Sequence, residues 1–151
     1  MLKQYIRCYV QKTKIFIFLD YFCVEVPKVD FMNIEELRDY CISVKGATES
    51  FPFNEMTLVF KVMGKMFAYT RLKPKDGGFS VDLKCDPEKS ADLRERYRGV
   101  GHGTHTQGLL WNKVCLDSDV PDNLIEELIK HSVDEVIKKL PKKKRYEYLN
   151  L

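Results

Sequence analysis

Apolar positions recur at helical spacing near residue 33, which predicts a first helix that runs from Asn33 to about Lys45. Asn33 can cap the free amides, Glu35 and Glu36 favour the first turn, and Lys45-Gly46 ends the pattern. The apolar stripe consists of Ile34, Leu37, Cys41 and Val44. The helix should therefore bury one face against a core.

Alternating apolar and polar positions predict five strands in the middle of the chain. The first three strands are expected at residues 57–62, 66–72 and 79–84, with Gly64 in a tight turn between the first two. The other two lie within residues 100–116, on either side of a turn at Gln107-Gly108. Such short connections predict hairpins and an antiparallel sheet.

Two further helices complete the predicted order. Asp86-Pro87 is a typical helix start and precedes a helix that ends near Gly99. Pro121 opens a longer helix with a continuous apolar stripe up to Pro141. The predicted order is one helix, three strands, one helix, two strands and one helix. This order predicts the α+β class, with a two-layer fold in which a five-stranded antiparallel sheet packs with three helices.

Composition agrees with a globular protein and limits what charge can do. With 44% hydrophobic and 31% charged residues, the chain of 151 residues can form a self-sufficient core. The net charge of +3, from 25 Lys and Arg against 22 Asp and Glu, is too small for the whole molecule to attract a polyanion. Only local clusters of cations could do so.

No motif indicates an enzyme, a metal or a cofactor. The five cysteines are widely spaced without a CxxC pair, as expected of reduced thiols in a cytoplasmic protein. His102 and His105, taken with Cys85 or Cys115, match no closed zinc pattern. His105 has no nucleophile or orienting carboxylate at a motif spacing. We therefore expect a non-enzymatic protein without cofactors.

Residues 1–31 resemble a signal peptide only superficially. Asp20 interrupts the apolar run of residues 15–19, and no small-residue cleavage site follows. The run is also far shorter than the roughly 20 apolar residues of a membrane span. We expect no export, no membrane contact and little structure here. The segment is either a genuine extension or translation from too early a start codon, and the second account is favoured.

Several distributed motifs resemble the MmcQ/YjbR family of small bacterial proteins. The likeness covers residues 32–145, which gives a domain of those bounds and a C-terminal tail at residues 146–151. The motifs are Met32-Asn33-Ile34-Glu35-Glu36-Leu37-Arg38, Gly46-Ala47-Thr48-Glu49, Phe51-Pro52-Phe53, Val59-Phe60-Lys61-Val62, Gly64-Lys65-Met66-Phe67-Ala68, Leu83-Lys84-Cys85-Asp86-Pro87, Leu93-Arg94, Tyr97, the His105 to Trp111-Asn112 segment, and Leu140-Pro141-Lys142-Lys143-Lys144.

The resemblance implies a two-layer, secretion-chaperone-like fold and a DNA-binding role. Proteins of this family are commonly labelled DNA-binding because their hairpins form a double wing. No catalytic residue comes with the resemblance. The expected contacts to phosphate are cations of the hairpins and of the C-terminus, and Phe67 and Tyr69 are near enough in sequence to stack on bases. The candidates are Lys61, Lys65, Arg71, Lys73, Lys75, His105, Lys113, Lys142, Lys143, Lys144 and Arg145.

Two other functions stay open at this point. A protein-interaction module could use the sheet or a helix groove of the chaperone-like fold to bind a partner chain. An enzyme acting on a small molecule ranks third. The sequence favours a monomer. The direct test of a shared DNA surface is whether Lys61, Lys65, Arg71 and the C-terminal cations lie together, since scattered charges would favour the interaction module.

Overall fold

The computed structural model describes residues 7–11, 14–19, 22–26, 31–74, 78–103 and 110–151. The chain divides into two compact units, Met1–Asp30 and Phe31–Leu151. The first contains three antiparallel strands in the order β1 (Arg7–Gln11), β2 (Lys14–Leu19) and β3 (Phe22–Val26). The proposal of an early start codon stays a prediction.

The second unit is an antiparallel sheet with helices. The strands are β4 (Ala47–Ser50), β5 (Thr57–Val62), β6 (Lys65–Arg71), β7 (Ser80–Lys84), β8 (Val100–His102) and β9 (Trp111–Cys115), and the helices are α1 (Ile34–Ser43), α2 (Pro87–Arg96), α3 (Asp122–Lys138) and α4 (Lys142–Leu149). The sheet order is β4-β5-β6-β7-β9-β8, and all neighbouring strands are antiparallel. The predicted α+β class with an antiparallel sheet is confirmed.

The predicted count of five strands and three helices is wrong, because β4 and α4 carry little hydrophobic pattern. Strand β4 is short and mostly polar, and it pairs with β5 alone. Glu49 of β4 accepts hydrogen bonds from Nε (2.8 Å) and Nη2 (2.5 Å) of Arg38 on α1. Helix α4 begins with four cations and occupies most of the predicted tail, with Tyr148 packed against the core.

The start and end of α1 follow the predicted local signals. Asn33 Oδ1 accepts hydrogen bonds from the amides of Glu35 and Glu36, each at 2.9 Å, and the Glu36 carboxylate accepts from the Asn33 amide at 2.9 Å. These reciprocal bonds form a capping box. Gly46 follows the helix with φ of 67°, a conformation that glycine adopts easily.

The main core lies between one face of the sheet and the helices. Helix α3 contacts β6 and β7 in the middle of the sheet, and α1 contacts β4. The largest fully buried side chains in this layer include Leu37, Phe60, Phe67, Ile125 and Ile129. None of the helices in the described part of the chain is both long and apolar enough to span a membrane.

A buried hydroxyl joins α3 to the two central strands. Strands β6 and β7 pair from Thr70 to Ala68 on one strand and from Val81 to Leu83 on the other. At the next position Ser132 Oγ accepts a hydrogen bond from the Lys84 amide (2.8 Å) and donates one to the Phe67 carbonyl (2.5 Å). The hydroxyl thus bridges two groups that would otherwise face each other across the ladder.

A second buried polar group joins α2 to the strands β8 and β9. The Asn112 side chain, which is 1% exposed, donates from Nδ2 to Ser90 Oγ at 3.2 Å. Arg94 Nη1 donates to Asn112 Oδ1 at 2.9 Å and lies 3.3 Å from His102 Nδ1. The Leu93-Arg94 and Trp111-Asn112 motifs therefore stabilise the fold.

We predict that Ser132→Ala destabilises the second unit, because both the Lys84 amide and the Phe67 carbonyl lose a buried partner. The expected loss is about 1–3 kcal/mol in the free energy of unfolding, measured by urea denaturation. Ser43→Ala is the control, since this serine is exposed and its hydroxyl donates to the Tyr40 carbonyl one turn earlier, so its loss should change stability by less than about 0.5 kcal/mol. Equal effects of the two substitutions would contradict the bridging role.

Candidate nucleic-acid interface

Side chains that alternate with the core positions form a second face of the sheet. There Val59, Tyr69 and Trp111 make a small buried cluster, with Met66 packed against it. The Tyr69 and Trp111 ring centroids are 5.5 Å apart. Phe67 lies in the main core and is completely buried, and Tyr69 is only 5% exposed. The expectation that these two aromatic rings stack on bases is therefore wrong.

Three of the predicted cations line one cleft on this second face. Arg71 ends β6, Lys73 follows it, and Lys113 lies in β9. Register explains their meeting: Tyr69 pairs with Asp82 of β7, and Asp82 pairs with Lys113. We call this site the basic cleft, and its other described lining residues are Tyr69, Pro74, Gly78, Phe79, Ser80 and Asp82.

Among its described lining residues, the basic cleft has one carboxylate beside three cations. Asp82 is 4% exposed and stands directly opposite Lys113 in the strand pair. Arg71 and Lys73 are exposed, while Lys113 is half-buried. Cations therefore outnumber acids among the described lining residues, so the cleft favours an anion over a cation.

Three lysines form a second positive group, here called the lysine cluster. Lys65 begins β6, Lys84 ends β7, and Lys139 follows α3. Burial lowers the pKa of Lys84, repulsion from Lys139 and then Lys65 lowers it further, and the Glu135 carboxylate raises it in part. The Lys84 ammonium also lies 5.4 Å from the Trp111 ring centroid. Lys84 and Lys139 were not among the predicted site residues, because their proximity depends on how α3 packs on the sheet.

The remaining candidates do not all join these two groups. Lys61 is half-buried in β5, opposite Met66. Exposed Lys142, Lys143 and Lys144 occupy the first turn of α4. Arg145 has a structural role, since its Nη2 donates to the carbonyls of Lys138 (2.5 Å) and Leu140 (3.4 Å).

The predicted candidates Lys75 and His105 lie outside the described residues. The described hairpin candidates lie in separate groups and not on one surface, a distribution that favours the interaction module. Lys65 and Arg71 are at opposite ends of β6 and hence roughly 20 Å apart along the strand.

The buried cysteine of α1 behaves as a hydrophobic residue. Cys41 is completely buried in the main core, and burial raises the pKa of its thiol to about 12. The thiolate, which is the reactive form, is then scarce at neutral pH. This agrees with the structural role that the sequence indicates for Cys41.

Comparisons with known proteins agree with this fold. The YjbR family model matches residues 42–134. The "Uncharacterized protein YjbR" of Escherichia coli K12 is 32% identical over 114 residues, which cover 76% of this chain and 95% of the relative. The protein of the same name from Escherichia coli O157:H7 matches equally. The chain is thus an α+β protein with an antiparallel sheet, and it belongs to the YjbR family.

Two crystal structures are similar to this chain. Deinococcus radiodurans protein DR2400, which carries the DUF419 domain, has a TM-score of 0.71 and 35% identity, covering 78% of this chain and 88% of its own. A Pseudomonas syringae protein has a TM-score of 0.59 and 23% identity, and the match covers 67% of this chain and 96% of the Pseudomonas protein. The second likeness concerns the fold alone.

We predict that Lys139→Gln raises the pKa of Lys84, because it removes the stronger of the two named repulsions while the burial of Lys84 remains. The measurement is an NMR pH titration of the Lys84 ε-methylene group. Lys130→Gln is the control, because this lysine lies over Tyr40 and is absent from the causes that shift Lys84. An unchanged Lys84 pKa in Lys139→Gln would contradict the lysine cluster.

Proposed function

We propose that this protein is a non-enzymatic DNA-binding protein that contacts phosphates through the basic cleft. The observation that carries the proposal is that Arg71, Lys73 and Lys113, which were selected from the sequence as phosphate ligands, line one cleft. Phosphate contacts supply most of the sequence-independent affinity for DNA, and they require several cations on one surface.

The hairpin β5–β6 and the pair β8–β9 correspond to the two wings of this proposal. The turn between β5 and β6 is formed by Met63 and Gly64, with φ of 51° and 77°, which matches the twist of a tight hairpin. Lys61 and Lys65 stand on either side of this turn. The turn therefore presents cations at the tip of one wing, while Arg71 and Lys73 lie at its base.

The spread of the cations suits an extended polyanion better than a small anion. The lysine cluster and the basic cleft lie at opposite ends of β6, roughly 20 Å apart. Duplex DNA carries a charge about every 1.7 Å along its axis. A single duplex could therefore bring phosphates to the lysine cluster and to the basic cleft at the same time. Contacts at both ends would add to affinity without reading sequence.

The separation of the cations and a group of exposed apolar side chains both favour protein interaction as a second candidate. Phe51 and Phe53 are 49% and 68% exposed, and Met56 and Leu72 are 37% and 39% exposed. The Leu72 amide bonds to the Met56 carbonyl at 2.9 Å, so these residues belong to one end of the sheet. Exposed apolar side chains that lie together are typical of partner surfaces.

We predict that the double variant Lys73→Gln/Lys113→Gln weakens binding of labelled duplex DNA and flattens its salt dependence. Each lost phosphate contact should reduce the slope of log affinity against log salt by roughly 0.9, so two contacts should reduce it by about 1.8. The measurement is fluorescence anisotropy across a series of salt concentrations.

The matched control is Arg96→Gln/Lys130→Gln, which makes the same change in net charge on the helices. Arg96 is paired with Asp92 at 2.9 Å, and neither residue lines the basic cleft. A control that loses as much slope as the cleft variant would show that only net charge matters. If the unaltered protein fails to bind DNA at low salt, the proposal is wrong and the interaction module is favoured.

A further inference from the structure

Three potential metal ligands meet where β7 leads into α2. Cys85 follows β7, Asp86 is the N-cap of α2, and His131 lies on α3. One donor atom of each, a thiol sulfur, a carboxylate oxygen and an imidazole nitrogen, lies within 4.8 Å of the other two. His131 Nε2 is 3.1 Å from Asp86 Oδ2.

The surrounding fold fixes the positions of these three residues. Ser132, next to His131, holds α3 against the end of β7 through the Lys84 amide. Asp86 Oδ1 accepts the Lys89 amide at 2.9 Å, which directs the other carboxylate oxygen towards His131. Cys85 is 3% exposed and therefore has little freedom to move. Preorganised donors lower the entropy loss of binding an ion.

The distances fit a tetrahedral metal ion. Zinc bonds of about 2.0–2.3 Å to nitrogen, oxygen and sulfur place neighbouring donors roughly 3.5 Å apart. His131 Nε2 and Asp86 Oδ2 are 3.1 Å apart, which is close to this separation, and the Cys85 sulfur lies within 4.8 Å of both atoms. Since Cys85 is buried, the adjustment to metal-bonding distance falls to the His131 and Asp86 side chains, which are 18% and 37% exposed.

We propose that Cys85, Asp86 and His131 bind a divalent transition-metal ion of the zinc class. A thiolate with an imidazole and a carboxylate suits Zn²⁺, whereas Mg²⁺ and Ca²⁺ take oxygen ligands. The three protein ligands leave the fourth tetrahedral position to a water molecule. The ion replaces the thiol proton of Cys85, which passes to solvent, and it takes the place of the hydrogen bond between His131 and Asp86.

The imidazole nitrogen of the site is directed at Asp86 from two sides. His131 Nε2 accepts a hydrogen bond from the Asp86 amide at 3.5 Å and lies 3.1 Å from Asp86 Oδ2. Because the thiolate is the form of cysteine that binds a metal, binding of the ion releases the Cys85 proton. This site is separate from the basic cleft and does not depend on DNA binding.

The test is titration of the full chain with Co²⁺, which reports its ligands through optical absorption. We expect tetrahedral d–d bands together with a near-ultraviolet charge-transfer band from thiolate to cobalt, both abolished by added Zn²⁺. Cys85→Ser should remove the charge-transfer band. His131→Gln should weaken cobalt binding by roughly tenfold or more. If no charge-transfer band develops in the unaltered protein, the site is overturned.

Matched variants separate this site from the other cysteines and histidines. Cys115→Ser and His102→Gln alter residues outside the three-ligand group, and both should retain the bands and the affinity. A charge-transfer band that persists in Cys85→Ser would also overturn the proposal. Circular dichroism checks that each variant is folded. If Cys85→Ser does not fold, His131→Gln decides, since the His131 side chain is 18% exposed and tolerates substitution better.

Discussion

The hydroxyl of Ser132 is the contact on which the arrangement of the second unit depends. It takes the place of a ladder hydrogen bond between β6 and β7, so the central helix is joined to the backbone of both strands and not only to their side chains. Apolar packing alone tolerates sliding of a helix over a sheet, because it is non-directional. Two directed hydrogen bonds fix the position of α3, and with it those of His131 and Lys139.

The positive charges of the chain are distributed by this architecture. Strand register brings Lys113 to Arg71 and Lys73 across β7, whereas helix packing brings Lys139 to Lys84. Arg145 bonds to the end of α3 instead of facing a ligand. A net charge of +3 thus conceals local concentrations of cations, and the basic cleft and the lysine cluster are produced by different structural layers.

Most of the fold could be predicted from hydrophobic periodicity, which is why α1, α3 and the strands β5 to β7 lie close to their predicted places. Strand β4 could not, since its main anchors are backbone pairing and the ion pair between Arg38 and Glu49. The candidate site was predicted only in part. Sequence identified Arg71, Lys73 and Lys113 as cations, but it treated Phe67 and Tyr69 as accessible rings. Phe67 lies in the main core and Tyr69 in the small cluster on the other face, because the β5–β6 register shifts at Phe67. Alternation along the strand does not reveal such a shift.

Contacts between distant segments explain what sequence reasoning missed. His102, His105 and the cysteines are the ligand types that sequence spacing can compare, whereas His131 meets Cys85 only through the packing of α3 on β7. Likewise, the YjbR motif that contains Lys84-Cys85-Asp86 combines a strand end, a buried thiol and a helix cap. These three roles fall on consecutive residues because β7 ends at Lys84 and α2 is capped by Asp86, only two residues later.

The position of Trp111 gives the molecule an internal optical reporter. It is the single tryptophan of the chain, with the Lys84 ammonium 5.4 Å from its ring centroid and the Tyr69 ring at 5.5 Å. Lys84 belongs to the lysine cluster, and Tyr69 lines the basic cleft. An indole held between the two positive groups senses a change of electric field at either, so its emission can follow the arrival of an anion without any attached dye.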